Sequence, residues 1–184
     1  MGVIEQSLSY LQPWEFSPTW ALFCLVSAGL YIRGLVRCRH SGQRAGFWRP
    51  FSFLLGIAAI YTVSQTHFDY LAQYMFFVHR GQHLVLHHVA PFLIALSAPL
   101  PLLISGTPDR VKNFSGITLV AQVLRPGYRL LQQPVIAALL FVGLIYFWLI
   151  PHVHFDAMLS QRLYQLMNWS MLLDGLLFWW LILA

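Results

Sequence analysis

Three histidines stand four residues apart, at His79, His83 and His87. On a helix that spacing puts them on one face, each step drifting by about 40° and climbing about 6 Å. Two neighbouring imidazoles at that separation can chelate one ion. The outer two, about 12 Å apart, cannot share one unless the helix bends. A site built here therefore takes one adjacent pair and completes itself from elsewhere. His152 and His154 are candidates for the third ligand, and Met75 prolongs the stripe by one turn. Imidazole with thioether suits copper, whereas imidazole alone suits zinc, copper or iron. Six carboxylates in the whole chain are too few for a magnesium or calcium cage. His88 points away from His79 and serves another purpose. A lone histidine more often bonds a neighbouring helix; three on one face, with two more on the same side, favour metal.

The elements that position these residues follow from composition. Of 184 residues, 58% are hydrophobic and 9% charged, with mean hydropathy +0.63. A water-soluble domain carries about 25% charged residues. So little charge requires lipid around most of the surface. The net charge of +5 is no nucleic-acid footprint, because the basic residues lie in short connections and form no aromatic-interleaved stripe. Cys24 and Cys38 form no C-x-x-C and read as incidental. The first 16 residues lack the basic start and apolar run of a cleavable signal peptide.

An all-α, polytopic membrane helix bundle of about five transmembrane helices is expected, as a single transmembrane domain over residues 1–184. The predicted spans are 18–36, 50–66, 84–104, 134–150 and 163–183. Residues 70–83 are apolar but irregular, and either extend the third helix outward or lie along the interface. Pro91, Pro99 and Pro101 predict that the third helix kinks or ends early. Phe114, Ile117, Val120, Ala121 and Leu124, followed by Arg125 and Arg129, predict an interfacial helix on the basic side.

Charge sets the orientation. Arg33, Arg37, Arg39, Arg44, Arg49, Arg110, Lys112, Arg125 and Arg129 flank the first and third connections, against Arg80 and Arg162 on the other side. That bias puts those connections in the cytoplasm, the N-terminus outside and the C-terminus inside. His67, His79, His83, His87, His88, His152 and His154 then all fall on or near the outer side, leaving His40 within. Glu5, Glu15, Asp69 and Asp156 join them outside.

Two polar positions inside the bilayer call for partners. Asp174 lies deep in the last span, where a charge costs several kcal/mol unless paired or protonated. An Arg80–Asp174 pair is expected, with a protonated Asp174 bonded to a neighbouring helix as the alternative. Tyr164 and Asn168, one turn apart, extend a polar lining toward the outer face. Trp148, Trp169, Trp179 and Trp180 read as interface anchors and packing.

Residues 64–99 carry, in order, Ser64, Asp69, the H-x-x-x-H pair His79 and His83, Ala90-Pro91 and Ala98-Pro99; residues 175–180 read G-L-L-F-W-W. This ordered set resembles the signature of CtaG-type cytochrome c oxidase assembly factors. It departs from the family pattern at Arg80, Leu149, Tyr164 and Asn168, and the chain looks like a shortened, divergent member. The resemblance carries over His79 and His83 directly; His87, His152 and His154 rest on geometry alone. It implies a multi-pass protein of the bacterial cytoplasmic membrane that works with a terminal oxidase subunit, in contact with membrane lipid and with no nucleic acid. Its implied role is copper delivery or insertion during oxidase maturation. Two other functions stay open, a bis-His haem membrane protein and a non-catalytic accessory or structural subunit of the oxidase. A transporter fits least, since no repeat or Gly-broken helix pair is present. No nucleophile–base–acid set marks an enzyme.

Overall fold

The protein is described here by a computed structural model covering residues 15–40, 46–112 and 115–183, with the side chains of 115–121 outside that description. Among the described residues every regular element is helical. They are α1 (Pro18–His40), α2 (Trp48–Gln65), α3 (His67–Tyr74), α4 (Phe76–Leu84), a π-helical turn (Val85–Val89), α5 (Ala90–Leu96), α6 (Leu100–Gly106), α7 (Asp109–Lys112), α8 (Ser115–Leu131), α9 (Pro134–Leu149), α10 (Pro151–Leu159) and α11 (Gln161–Leu183). Proline opens α1, α9 and α10, where its missing N–H costs no hydrogen bond.

Among the described residues, α1 and α11 are each long and apolar enough to cross a membrane. Two bent pairs raise the number to four if each counts as one span: 76–96 with α6, bent by 77°, and 122–131 with α9, bent by 79°. The expected fifth, α2, falls short of that standard because Arg49, Ser52, Thr62, Ser64 and Gln65 dilute its 18 residues. The described end of α8 turns sharply from α9, as an interfacial helix would, though Phe114 and the side chains of Ile117, Val120 and Ala121 lie outside the described residues.

The third rod breaks where the prolines cluster. It stops at Leu96, Ala98 takes a φ of 46°, and α6 starts just after Pro99. Pro91 produces a different irregularity. Its ring would crowd the carbonyl four residues back, at His87, and it has no N–H to offer. The turn before it widens to a π-helical one, with the Ala90 N–H bonded to the Val85 carbonyl.

Glycines let the helices approach closely. A Cβ on Gly34 would overlap the Leu102 carbonyl, and one on Gly106 would overlap the Leu30 carbonyl, so α1 and α6 meet backbone to backbone. A Cβ on Gly175 would overlap the His87 carbonyl and stand 2.9 Å from Pro91 Cγ, so α11 rests directly on the π-helical turn. The core around these contacts includes Trp20 stacked on Trp169 at 3.9 Å and Tyr31 stacked on Phe53 at 4.0 Å.

The two ends of the bundle differ in chemistry. At one end Ser17 and Gln65 exchange hydrogen bonds, Trp20 Nε1 donates to Gln165 Oε1 at 2.7 Å, and Gln161 reaches Glu15. At the other, Arg37 donates to the Ser105 carbonyl at 2.8 Å and stands 3.9 Å from Asp109, which also meets Lys112. These ties put Arg37 and Lys112, from the first and third connections, at one end. His79, His83 and His154 sit at the other, with the starts of α1 and α11.

Candidate functional site

Two short helices and the tops of two long ones build the site. Thr66 caps α3 by accepting from the Phe68 N–H at 3.3 Å, and α3 presents Asp69 and Gln73. Met75 is extended (φ −119°, ψ 111°), which breaks the chain before α4 and sets the direction of the rod bearing His79, Gln82 and His83. α10 contributes His154, and α11 contributes Tyr164 and Asn168.

His79 is 0% exposed and His83 4%. Their ring centroids are 4.2 Å apart; His79 also lies 5.2 Å from His154 and 6.1 Å from the Tyr164 ring. Both nitrogens of His79 and both of His83 are buried without a hydrogen-bond partner, as are His154 Nδ1 and Asn168 Oδ1. Asn168 approaches His83, but outside good hydrogen-bond geometry. Leaving one buried polar atom unpaired costs about 1–3 kcal/mol, so four on one helical face form a destabilised group that a shared ligand would relieve. Among the described residues, no three His, Cys, Asp or Glu side chains converge as a preformed metal cage. The arrangement is instead pairwise. Two imidazoles sharing one ion, at about 2.0–2.1 Å from each nitrogen, stand with centroids roughly 5 Å apart. His79–His154 matches that spacing, and His79–His83 is somewhat tighter.

His154 is held neutral to a pH below the usual imidazole range, chiefly by burial and then by the nearby Arg80 cation. Its folded form therefore takes up a proton less readily than the unfolded chain. The sign follows: stability is lost as pH falls through the unfolded value of about 6.5. Melting measured from about pH 7.5 down to about pH 5 should show a decline that His154→Gln makes shallower. An unchanged slope in that variant would count against His154 as a source.

A polar network lies beside the rings. Asp69 accepts from Gln82 Nε2 at 2.7 Å, from Gln73 Nε2 at 3.2 Å, and lies 2.8 Å from Tyr164 Oη. Gln82 sits three residues after His79, on the same face, so the network fixes the rotation of α4 and with it both imidazoles. Sequence reasoning missed Gln82 and Gln73. The signal available was a glutamine at helical spacing from each of two site residues, His79 and Asp69.

Other predicted residues fall elsewhere. His87 is fully buried two turns below His79, with Nε2 2.9 Å from Asp174 Oδ2, Nδ1 3.3 Å from His88, and its ring stacked on Phe141 at 4.1 Å. The expected Arg80–Asp174 pair is thus replaced by His87–Asp174. Arg80 lies seven residues above His87, about 10 Å along the rod, and places its guanidinium over the Phe76 ring at 4.7 Å. Met75 does not prolong the stripe, because the helix that would align it stops there; it is half exposed. His152 is exposed, and it is His154, two residues on, whose ring meets the histidine pair. Asn168 lies buried below Tyr164, as expected of a polar lining.

No curated protein and no solved structure matches this chain. A family model does: the one described as cytochrome c oxidase caa3 assembly factor covers residues 29–184. That stretch takes in α2 through α11 and the second half of α1, including every side chain of the network and the histidine cluster. With its helical membrane architecture and the ordered motifs of residues 64–99 and 175–180, the chain belongs to the cytochrome c oxidase caa3 assembly factor family.

Proposed function

We propose that the protein binds copper at the outer face of the bacterial cytoplasmic membrane and passes it to a subunit of the terminal oxidase. One observation carries this: the four unpartnered ring nitrogens of His79 and His83, buried together beside His154. Copper accepts imidazole nitrogen and tolerates few ligands, and cargo that must be handed on is better held by two or three donors than by a closed cage. Because only the neutral imidazole ligates, copper should be lost as the rings protonate in acid. In this reading the basic end is cytoplasmic, the N-terminus lies outside, the C-terminus inside, and α2 is a short fifth span.

The test is copper content of the purified protein beside a His79→Ala/His83→Ala double variant. Bound copper should fall at least tenfold in the variant; equal content would remove both ligands from the proposal. A second reading draws on the lack of a preformed three-ligand group among the described residues, and makes the chain an accessory subunit of the oxidase that holds no metal. Stoichiometric co-purification with the oxidase and no copper would favour it. Bis-His haem ligation suits the geometry poorly, since rings already in contact leave no slab for a macrocycle between them. A Soret band in the purified protein would reverse that judgement.

A further inference from the structure

The hydrogen bonds around Asp69 require one more proton than an ionised carboxylate provides. Gln82 Nε2 donates to the Val63 carbonyl at 2.8 Å and to Asp69 Oδ1 at 2.7 Å. A backbone carbonyl has no proton to give, so the amide orientation is fixed and Gln82 Oε1 faces Tyr164. Tyr164 Oη is then 2.8 Å from Asp69 Oδ1 and 3.0 Å from Gln82 Oε1, both oxygens. Two O···O contacts of that length need two protons, and a tyrosine brings one. With Asp69 ionised, one contact is a bare approach of two acceptors. With Asp69 neutral, the chain closes: Asp69 Oδ1–H donates to Tyr164 Oη, and Tyr164 O–H donates to Gln82 Oε1.

We propose that Asp69 is a neutral acid in the metal-free protein and gives up its proton when copper enters the His79–His83 pair, so that one cation is exchanged for one proton. The exchange rests on the copper function proposed above; the neutral acid does not. The balance is simple. Monovalent copper enters, the Asp69 proton leaves to the outer solution, and no electron moves. The local charge stays the same. Keeping it so matters because an uncompensated charge in a poorly hydrated site is strongly disfavoured. Tyr164 connects the two halves, touching Asp69 at one side and standing 6.1 Å, ring to ring, from His79 at the other.

The surroundings of Asp69 agree. Facing it are Gln73 from α3, Gln82 from α4, Tyr164 from α11 and Glu15 from the segment before α1. None of the described ion pairs involves it. Burial is the dominant influence and pushes the carboxyl above the ordinary carboxylate range; the bonds from Tyr164, Gln82 and Gln73 oppose this, and Glu15 reinforces it. Asp69 stands in the first turn of α3, yet its side-chain bonds go to the glutamines and tyrosine of the network.

Infrared spectra of the metal-free protein at neutral pH test the acid directly. A protonated carboxyl C=O band that shifts in D2O is expected, and Asp69→Asn should remove it. Tyr164→Phe should keep the band but move it to higher frequency, as the carboxyl loses its acceptor. No Asp69-dependent band would overturn the neutral acid. Titration with copper(I) at about pH 8, above the imidazole range, tests the exchange. About one proton per copper should appear for the natural protein and none for Asp69→Asn, whose side-chain amide can still donate to Tyr164. Equal proton release from both would overturn the exchange. Absence of copper binding by the natural protein would overturn it together with the copper function, while the infrared band would still decide the state of Asp69.

Discussion

A single methyl group at Gly34 or Gly106 will prise α1 away from α6 and lower stability by about 3 kcal/mol. The added Cβ of either alanine variant would overlap a backbone carbonyl, Leu102 for Gly34 and Leu30 for Gly106. Neither oxygen can rotate aside, because each belongs to a helix. Relief therefore comes only by moving one helix, and α6, a short helix after a sharp break, would lose its seat. Gly29 lies on the same helix as Gly34, and a methyl group added there would meet nothing within 4 Å. Gly29→Ala should be neutral or stabilising by about 0.5–1 kcal/mol, from helix propensity alone. Melting in detergent, with size-exclusion profiles, separates the cases. If Gly34→Ala melted like Gly29→Ala, the backbone-to-backbone contact would be wrong.

Asp174→Leu is expected to cost about 2–3 kcal/mol, because it strips His87 Nε2 of its partner in a fully buried place. The ring cannot seek another acceptor while stacked on Phe141 and held beneath Gly175. His87→Phe should cost a comparable amount by leaving the carboxyl alone in the bilayer. Combining the two should restore much of the loss, since neither polar group is then stranded. Double-mutant melting checks this. Costs that simply add would mean that the two side chains do not act as a unit. Copper content should change little in Asp174→Leu, which separates this deeper pair from His79 and His83.

Much of this molecule was legible in its residues, for identifiable physical reasons. Scarcity of charge dictated a lipid-facing helical bundle, and its ends differ in chemistry: Arg37 and Lys112 lie at one, and His79, His83 and His154 at the other together with Arg80. The i, i+4 rule brought His79 and His83 together, and a local rule of that kind survives because it depends on one helix. The same rule failed for Met75 and misled for His87. An extended residue interrupts the helix before α4, and a deeper carboxylate claims His87. Asp174 was recognised as needing a partner, but depth chose it. Arg80 is adjacent in sequence to the histidines and yet about 10 Å too high along the rod. The Asp69–Tyr164–Gln82 network joins three separate elements, and such contacts leave no periodic trace. The break at Ala98 was signalled by the prolines that follow it, and Pro91 signalled an irregularity of its own, but not that it would take the form of a widened turn.

That widened turn amounts to one surplus residue accommodated within an otherwise regular rod. Everything on its N-terminal side is consequently phased by about 100° relative to an unbroken helix anchored at α5. Excising one residue from 85–89 would swing the imidazole pair round to a different neighbour, away from His154. The aim of the two rings is thus set further along the same rod, where Pro91 forbids an ordinary turn and Gly175 makes room for the slack.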